Sequence, residues 1–498
     1  MALSPEQIEQ LKALIGNARA CHARGALADA RRMYELARGL LPTAVELQVE
    51  LGRVLMQMNL PVDAAACFRR ATALQPRDPV CHFNLGNALA DCRDYDEAYA
   101  AYRRALALKP DFVAALNNLG NALMLLFHFE EAEETLRRAI ALKPDHALAH
   151  VNLADALWGQ KRFAEAMASY DEALRLAPEM PEAHLHRSIA LLLQGRLREG
   201  FAEQEWRWRA NSHLPMQRIH LPRWQGEPLA GKTILLHGEQ GFGDDIQFVR
   251  FLPRIKALGA RVLLRVEPDL VRLLSTIAGV DAVYDTTTPV PEADYAVSLL
   301  SLAQRLDCTL ETIPAAVPYL TADPADVAAW AEKLAERPGR KVGLAWAGAP
   351  RPGLVEAVLL DSRRSTDLAT FAPLAAVPGI ALISLQKGPK SAQALIPPPG
   401  MAITHRMDEV TDFADCAALV QNLDLVITVD TAVAHVAGAL GKPFWLLNRH
   451  DGCWRWLIER SDSPWYPSAR IFRQQRRGDW SGVIAEMAAA LADWAKTV

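Results

Sequence analysis

The chain has 498 residues, 51% of them hydrophobic and 22% charged, which is enough to bury several cores and excludes a disordered scaffold. Its net charge of −4 supplies no global basic field for nucleic acid or for an anionic membrane surface. Seven cysteines without a CxxC pair fit neither a disulfide framework nor a zinc site, and point to a reducing cytoplasm. Ser4-Pro5-Glu6-Gln7 reads as a helix cap with proline in the first turn, and no apolar run of about 18 residues occurs, so neither a signal peptide nor a membrane span is expected.

The first two-fifths repeat. Pro42, Pro76, Pro110, Pro144 and Pro178 follow one another at 34 residues. Gly52, Gly86, Gly120 and Ala154 keep the same frame, as do Ala64, Ala98, Ala132 and Ala166, then Ala71, Ala105, Ala139 and Ala173. Tyr34, Phe68, Tyr102, Leu136 and Tyr170 fill a large-residue position. Each unit therefore reads as a helix pair that buries its face by stacking on neighbours. The pattern resembles tetratricopeptide repeats over residues 10 to 182, as one degenerate and four good units, with Pro181 to Trp208 expected as a closing pair.

One column bears on function. Asn84, Asn118 and Asn152 stand 34 apart, and Asn87, Asn121 and Asp155 follow three residues later, which puts both columns on one helical face. A side-chain amide donates to and accepts from a peptide group together, so stacked asparagines suit an extended backbone of any sequence. The arrangement resembles the asparagine ladder of the peptide O-GlcNAc transferases. The alternative is that Asn-Leu-Gly simply suits the first helix of the repeat.

After Trp208 the helical period fails, and the proline-rich stretch 209–230 reads as a linker. Short β-rich runs then alternate with helical ones: Thr233 to His237, Arg261 to Val266, Asp294 to Leu299, Lys341 to Ala347, Ile380 to Gln386 and Asp424 to Val429. Such alternation predicts parallel sheets covered on both faces, here two lobes at 231–325 and 326–480 with a last helix at 481–498. Ligands of open α/β sheets bind beyond the carboxyl ends of strands.

Two segments meet that condition. Gly238 to Asp245 (GEQGFGDD) follows the strand ending at His237 and opens a helix expected to run to Leu258. Gly241 and Gly243 let a ligand approach the backbone, and Asp244 and Asp245 argue against a dinucleotide loop. Asp244 is either a base that accepts an acceptor hydroxyl's proton or the helix cap, with Asp245 turned to solvent or helix. The second segment, Asp424 to Leu447, reads as strand, turn, helix, turn and strand. Asp430 or Thr431 caps its helix, the amides of Ala432 and Val433 face a diphosphate, and His435 donates to a phosphate or ribose oxygen or else packs in the core.

In this order the two segments resemble the ADP-heptose lipopolysaccharide heptosyltransferases and their repeat-bearing relatives, some of which modify flagellin. The resemblance spans residues 230 to 480. It implies a GT-B pair of Rossmann-like lobes, Asp244 as base, and donor binding by Gly241, Gly243, Asp430, Thr431, Ala432 and His435. Ala432 stands where that family has glycine. The resemblance also implies a polar group after a middle strand, here Lys387, whose alternative is a solvated loop lysine. Trp346-Ala347-Gly348 matches the relatives, the stretch after it departs from their loop, and Arg363, Arg364 and Ser365 match the loop's end; Arg364 is assigned to the acceptor, as are Asn84, Asn87, Asn118, Asn121 and Asn152. Trp454-Arg455-Trp456 and Trp480 match the relatives as well, as packing between lobes or as sugar-stacking groups.

The fold class expected is α + α/β, a tetratricopeptide solenoid over 1–208 and then the two lobes. The function expected is a cytoplasmic, inverting, metal-independent glycosyltransferase with no cofactor, its nucleotide sugar being substrate and its acceptor a protein, flagellin-like in the nearest resemblance. No nucleic acid or integral membrane contact is expected. The alternatives are transfer to a lipopolysaccharide or lipid-linked saccharide, and a peptide-binding adaptor with an inactive transferase unit.

Overall fold

A computed structural model describes residues 3–210, 219–239, 241–335, 338–349 and 355–496. Pro215 with the linker stretch 211–218, Gln240 of the GEQGFGDD turn, and Pro350 to Leu354 lie outside the described residues.

Twelve helices come first: α1 (Pro5–Ala23), α2 (Leu27–Leu40), α3 (Val45–Gln57), α4 (Pro61–Leu74), α5 (Pro79–Asp91), α6 (Tyr95–Leu108), α7 (Val113–Leu125), α8 (Phe129–Leu142), α9 (Ala147–Gly159), α10 (Phe163–Leu176), α11 (Pro181–Leu193) and α12 (Leu197–Gln204). The repeat columns meet inside each pair. A Cβ on Gly52 would stand 2.6 Å from the Phe68 ring, one on Gly86 2.5 Å from the Tyr102 ring, and one on Gly120 2.5 Å from Leu136. The small position exists because the large one lies on it. Between the two helices the chain passes through a left-handed residue every 34 positions, at Gly25 (φ 76°), Asn59 (58°), Arg93 (64°), Phe127 (67°), Lys161 (62°) and Gly195 (79°). The next amide reaches back, Leu60 to Leu55 and Asp94 to Leu89 at 2.9 Å and His128 to Leu123 at 2.8 Å, which closes a Schellman motif. The proline carbonyls are also used: His82, His150 and His184 meet those of Pro76, Pro144 and Pro178 at 3.1, 3.0 and 2.8 Å.

The chain divides into two compact units at His186 and Arg187. Helix α12, expected to close the solenoid, therefore belongs to the second unit. The cause is Phe201, 1% exposed, whose ring meets those of Phe248, Trp454 and Trp465 edge-on at 6.0, 5.5 and 6.5 Å.

The second unit holds two wholly parallel sheets. The first comprises β1 (Thr233–His237), β2 (Arg261–Val266), β3 (Ala282–Asp285) and β4 (Tyr295–Ser298), in the order β3-β2-β1-β4. Helices α13 (Phe242–Phe248) and α14 (Leu252–Ala257) link β1 to β2, α15 (Pro268–Leu274) links β2 to β3, and α16 (Leu302–Arg305) follows β4. The single helix expected up to Leu258 is broken by a 3₁₀ turn at Val249–Phe251, because Pro253 has no N–H for the Val249 carbonyl.

Helix α17 (Pro324–Leu334) leads to β5 (Arg340–Ala345), α18 (Val355–Arg364), β6 (Ile380–Ser384), β7 (Ile403–Thr404), α19 (Phe413–Gln421), β8 (Leu425–Val429), α20 (Ala432–Ala439), β9 (Phe444–Asn448), β10 (Ala469–Arg473) and α21 (Ser481–Ala495). The strand order is β10-β9-β8-β5-β6-β7. All five residues of β8 and of β9 are buried, as a parallel sheet covered on both faces requires. Val483, Ile484, Met487 and Leu491 of α21 fill one covering core. Strand order reverses between β1 and β4 in the first sheet and between β5 and β8 in the second. In open sheets of this kind ligands bind at such reversals. Among the described residues no helix is long and apolar enough to cross a membrane.

Candidate active site

At the β1–β4 reversal the crevice is filled from within the chain. Glu239, just past β1, receives Arg207 Nε and Nη2 at 3.0 and 2.7 Å, and Ser298 Oγ also donates to it. Arg207 reaches Ser301 Oγ and Glu205 at 2.7 Å each. Arginine and glutamate are both buried, so each neutralises a charge the other makes costly. An internal ion-pair network thus holds the ends of β1 and β4.

The β5–β8 reversal is different. Thr431 is the extended residue before α20, yet its side chain makes no capping bond to the helix: Thr431 Oγ1 lies 3.1 Å from Thr428 Oγ1, and Asp430 Oδ1 accepts from Trp456 Nε1 at 2.9 Å. The expected cap is thus absent, and the first turn, Thr431 to Val433, is partly exposed with its amides turned outward. Burial alone would raise Asp430, but Arg364, Arg455 and Arg449 outweigh it and hold the carboxyl below its usual range. Three guanidiniums thus act on one buried carboxylate, and each is also paired with a carboxylate of its own: Arg364 with Asp361, Arg449 with Asp451 and Arg455 with Asp244.

Arg364, assigned to the acceptor from sequence, donates from Nη1 to the Asp430 carbonyl at 2.8 Å and so belongs to this strand end. Gly348 permits that position, since a Cβ there would collide with Asp361 and Arg364. Lys387 is exposed, and its ammonium donates to the Val410 carbonyl at 2.5 Å, which ties it to the loop before α19. Its neighbour Gln386, which sequence reasoning missed, is 2% exposed and accepts from the amides of Trp346 and Ala347 at 2.9 and 2.8 Å. It thereby fixes the turn after β5.

Asp244 lies in the first turn of α13 and is not its cap; Gly241 is, with extended backbone that any residue adopts. Its carboxylate is ion-paired with Arg455 from the second sheet's side. Asp245, expected to face solvent or helix, is buried at 4% exposure, its carboxylate where a Cβ on Gly238 would stand. Gly243 serves a contact other than a ligand: a Cβ there would lie 2.7 Å from His435 Cδ2, so glycine lets α13 approach α20.

His435, expected to donate to a phosphate or ribose oxygen, is built into this contact. Its Nδ1 stands 2.8 Å from the Tyr466 hydroxyl and its ring stacks on Trp456 at 5.7 Å. Burial first, then Arg455, drives it down to about 3, so it is neutral. Nearby Arg250, 3% exposed, donates to the Trp465 carbonyl at 2.6 Å and the Tyr319 hydroxyl at 2.9 Å and lies 4.6 Å from the Tyr466 ring. Arg250 spans the lobes through carbonyl, hydroxyl and π faces. Arg455 has a sequence signal in Trp454-Arg455-Trp456, an arginine between two tryptophans, whereas Gln386 has none.

In the solenoid the asparagines bond to each other. Asn118 Nδ2 and Tyr102 Oη both donate to Asn87 Oδ1 at 2.8 Å. Buried Asn152 donates to Asn117 Oδ1 at 3.0 Å, and Asn117 to Asn118 Oδ1 at 3.1 Å. Asn117 lies outside the column and was not foreseen. Asn121 is exposed, and Asn84 Nδ2 is buried without a partner.

Models of the tetratricopeptide repeat match residues 11–35, 79–112 and 117–181. The model of glycosyltransferase family 9 (heptosyltransferase) matches residues 409–450, which carry β8, the start of α20 and Arg449. Protein FlbA of Caulobacter vibrioides is 30% identical over 313 residues, 57% of this chain and 50% of that protein. The chain thus spans about half the length of that relative. Among solved structures, a MamA protein is 23% identical over 34% of this chain and 93% of its own, with a TM-score of 0.33. PilF of Pseudomonas aeruginosa is 20% identical over 42% of this chain and 95% of its own, with a TM-score of 0.35. The chain carries tetratricopeptide repeats in its N-terminal part and, in its C-terminal part, a stretch of residues 409–450 that is similar to glycosyltransferase family 9.

Proposed function

We propose that the chain is an inverting glycosyltransferase of GT-B organisation that needs no metal ion and moves a sugar from a nucleotide donor to a protein held by the repeats. The observation that carries this reading is the β5–β8 crevice. There the uncapped start of α20 lies among Arg364, Arg449 and Arg455, and Asp244 approaches from the other sheet. A helix start with three guanidiniums suits an anionic leaving group, and the family 9 match covers this segment.

In the reaction the acceptor hydroxyl attacks the anomeric carbon on the face opposite the phosphate. Its proton passes to the Asp244 carboxylate, the bond from carbon to phosphate oxygen breaks, and the electron pair stays on that oxygen, where arginine and helix amides stabilise it. On the acceptor side, exposed Asn121 and half-free Asn84 are the column members best placed to meet a peptide backbone. The unpaired cysteines accord with a cytoplasmic setting.

The test is to incubate the purified chain with a panel of nucleotide sugars, follow release of the nucleotide, and locate the bound product crystallographically. Release from one donor, with its phosphates at Thr431 to Val433, is expected. A nucleotide seated in the first sheet, away from Thr431, overturns the assignment.

A further inference from the structure

The contact between Asp244 and Arg455 joins the two groups that the proposed reaction needs apart. Arg455 is anchored independently of that contact: Nε donates to Gln247 Oε1 at 2.8 Å, Nη1 reaches Cys453 Sγ at 3.3 Å, and the guanidinium lies 4.4 Å from the Trp454 ring centre. The following residue, Trp456, is pinned to Asp430 Oδ1 at 2.9 Å, and the charge of Arg455 is felt at both Asp430 and His435. The remaining amino group, Nη2, is the one paired with Asp244. It occupies one oxygen, Oδ1, of the carboxylate that would take the acceptor's proton.

We propose that Arg455 is a phosphate-binding residue that restrains Asp244 until the donor arrives. The diphosphate of a nucleoside diphosphate sugar, seated at the start of α20, carries more charge than one carboxylate and takes Nη2 from Asp244. The carboxylate is then free for the hydroxyl. The planar guanidinium stays where Gln247, Cys453 and Trp454 hold it, and the Asp244 carboxylate is the group that turns away from Nη2. Donor therefore binds before the base is released, and water meets no unpaired base in the empty crevice. This rests on the reading of the β5–β8 crevice as the donor site.

The experiment is calorimetric titration of UDP, GDP, ADP, CDP and CMP into the full chain and three variants: Asp244→Asn, Arg455→Gln and the double variant, with thermal unfolding to check folding. Arg455→Lys serves where Arg455→Gln does not fold. Asp244→Asn should tighten the nucleotide that binds best by about 5- to 20-fold, because Arg455 no longer has to leave a carboxylate, and Arg455→Gln should weaken it by at least about tenfold. In the Arg455→Gln background, Asp244→Asn should change affinity by less than about twofold. Equal tightening in both backgrounds would mean that Asp244 merely repels phosphate, and the exchange is wrong. So it is if Asp244→Asn binds no tighter than the natural chain. Failure of every nucleotide to bind the natural chain overturns the donor-site reading together with this one, whereas binding unaltered by the variants overturns the exchange alone.

Discussion

His435 shows what burial does to one side chain. The ring is enclosed by Gly243, Trp456 and Tyr466, and the charges that reach it are Arg455, Asp430, Arg250 and Arg364. Three of the four are positive, so protonation is opposed by burial and by net charge together. From the usual 6.5 its titration falls to about 3. The folded value lies below the unfolded one, so the associated stability is complete above about pH 6.5. It is lost as pH falls, because the unfolded chain takes a proton that the folded chain refuses. At about 1.4 kcal/mol per pKa unit, the loss from pH 7 to pH 4 is on the order of 3 kcal/mol. His435→Asn, which keeps an amide donor for Tyr466, should flatten the dependence of urea-unfolding stability on pH across that window; parallel curves for the two proteins would show that His435 is not the group responsible. At this scale the sequence made the strand-end segment around Asp430 legible, because an apolar run, a polar turn and a small-residue helix are local. It did not reveal that Asp244 meets Arg455 or that Gly243 meets His435, since each pair is joined only by folding.

Among the elements, the repeat was the most legible part, and Gly52 on Phe68 and Gly86 on Tyr102 give the reason: a fixed spacing on two helices makes one contact over and over. Strands β3 and β7 went unread because four and two residues at sheet edges carry too little pattern. The asparagine columns were seen, but not their mutual bonds: Asn118 donates to Asn87 directly, whereas Asn152 reaches Asn118 only through Asn117. Those bonds separate two kinds of asparagine. Asn152→Ala removes the donor to buried Asn117 Oδ1 and should cost about 1 to 3 kcal/mol in denaturant unfolding of the solenoid, as a stranded buried acceptor does. Asn121→Ala, at an exposed position, should stay within about 0.5 kcal/mol. If the two cost the same, the amide chain does not hold the helices. A loss of acceptor modification in Asn121→Ala without a loss of stability then assigns that position to binding.

For the whole molecule, the decisive question is where the solenoid ends. Proline-rich sequence after Trp208 marks a boundary by composition, yet the division at His186 and Arg187 assigns α12 and Arg207 to the α/β unit. Composition reports where regular structure stops, and packing decides which unit a helix joins. A chain of residues 209–498 lacks Phe201, which fills the space beside Phe248, Trp454 and Trp465, and losing a buried phenylalanine costs about 3 to 5 kcal/mol. It also lacks Arg207, leaving Glu239 buried among Ser298 and neighbours without its counter-charge, at about 3 to 5 kcal/mol more. Their sum is comparable to the whole stability of an ordinary domain, about 5 to 15 kcal/mol. A chain starting at Glu179, in the turn before α11, keeps both residues. It should therefore unfold cooperatively and release nucleotide from the donor as the full chain does, while the chain starting at Arg209 should be insoluble or lack a cooperative transition. Equal folding of the two, read by circular dichroism on heating, would return α12 to the solenoid.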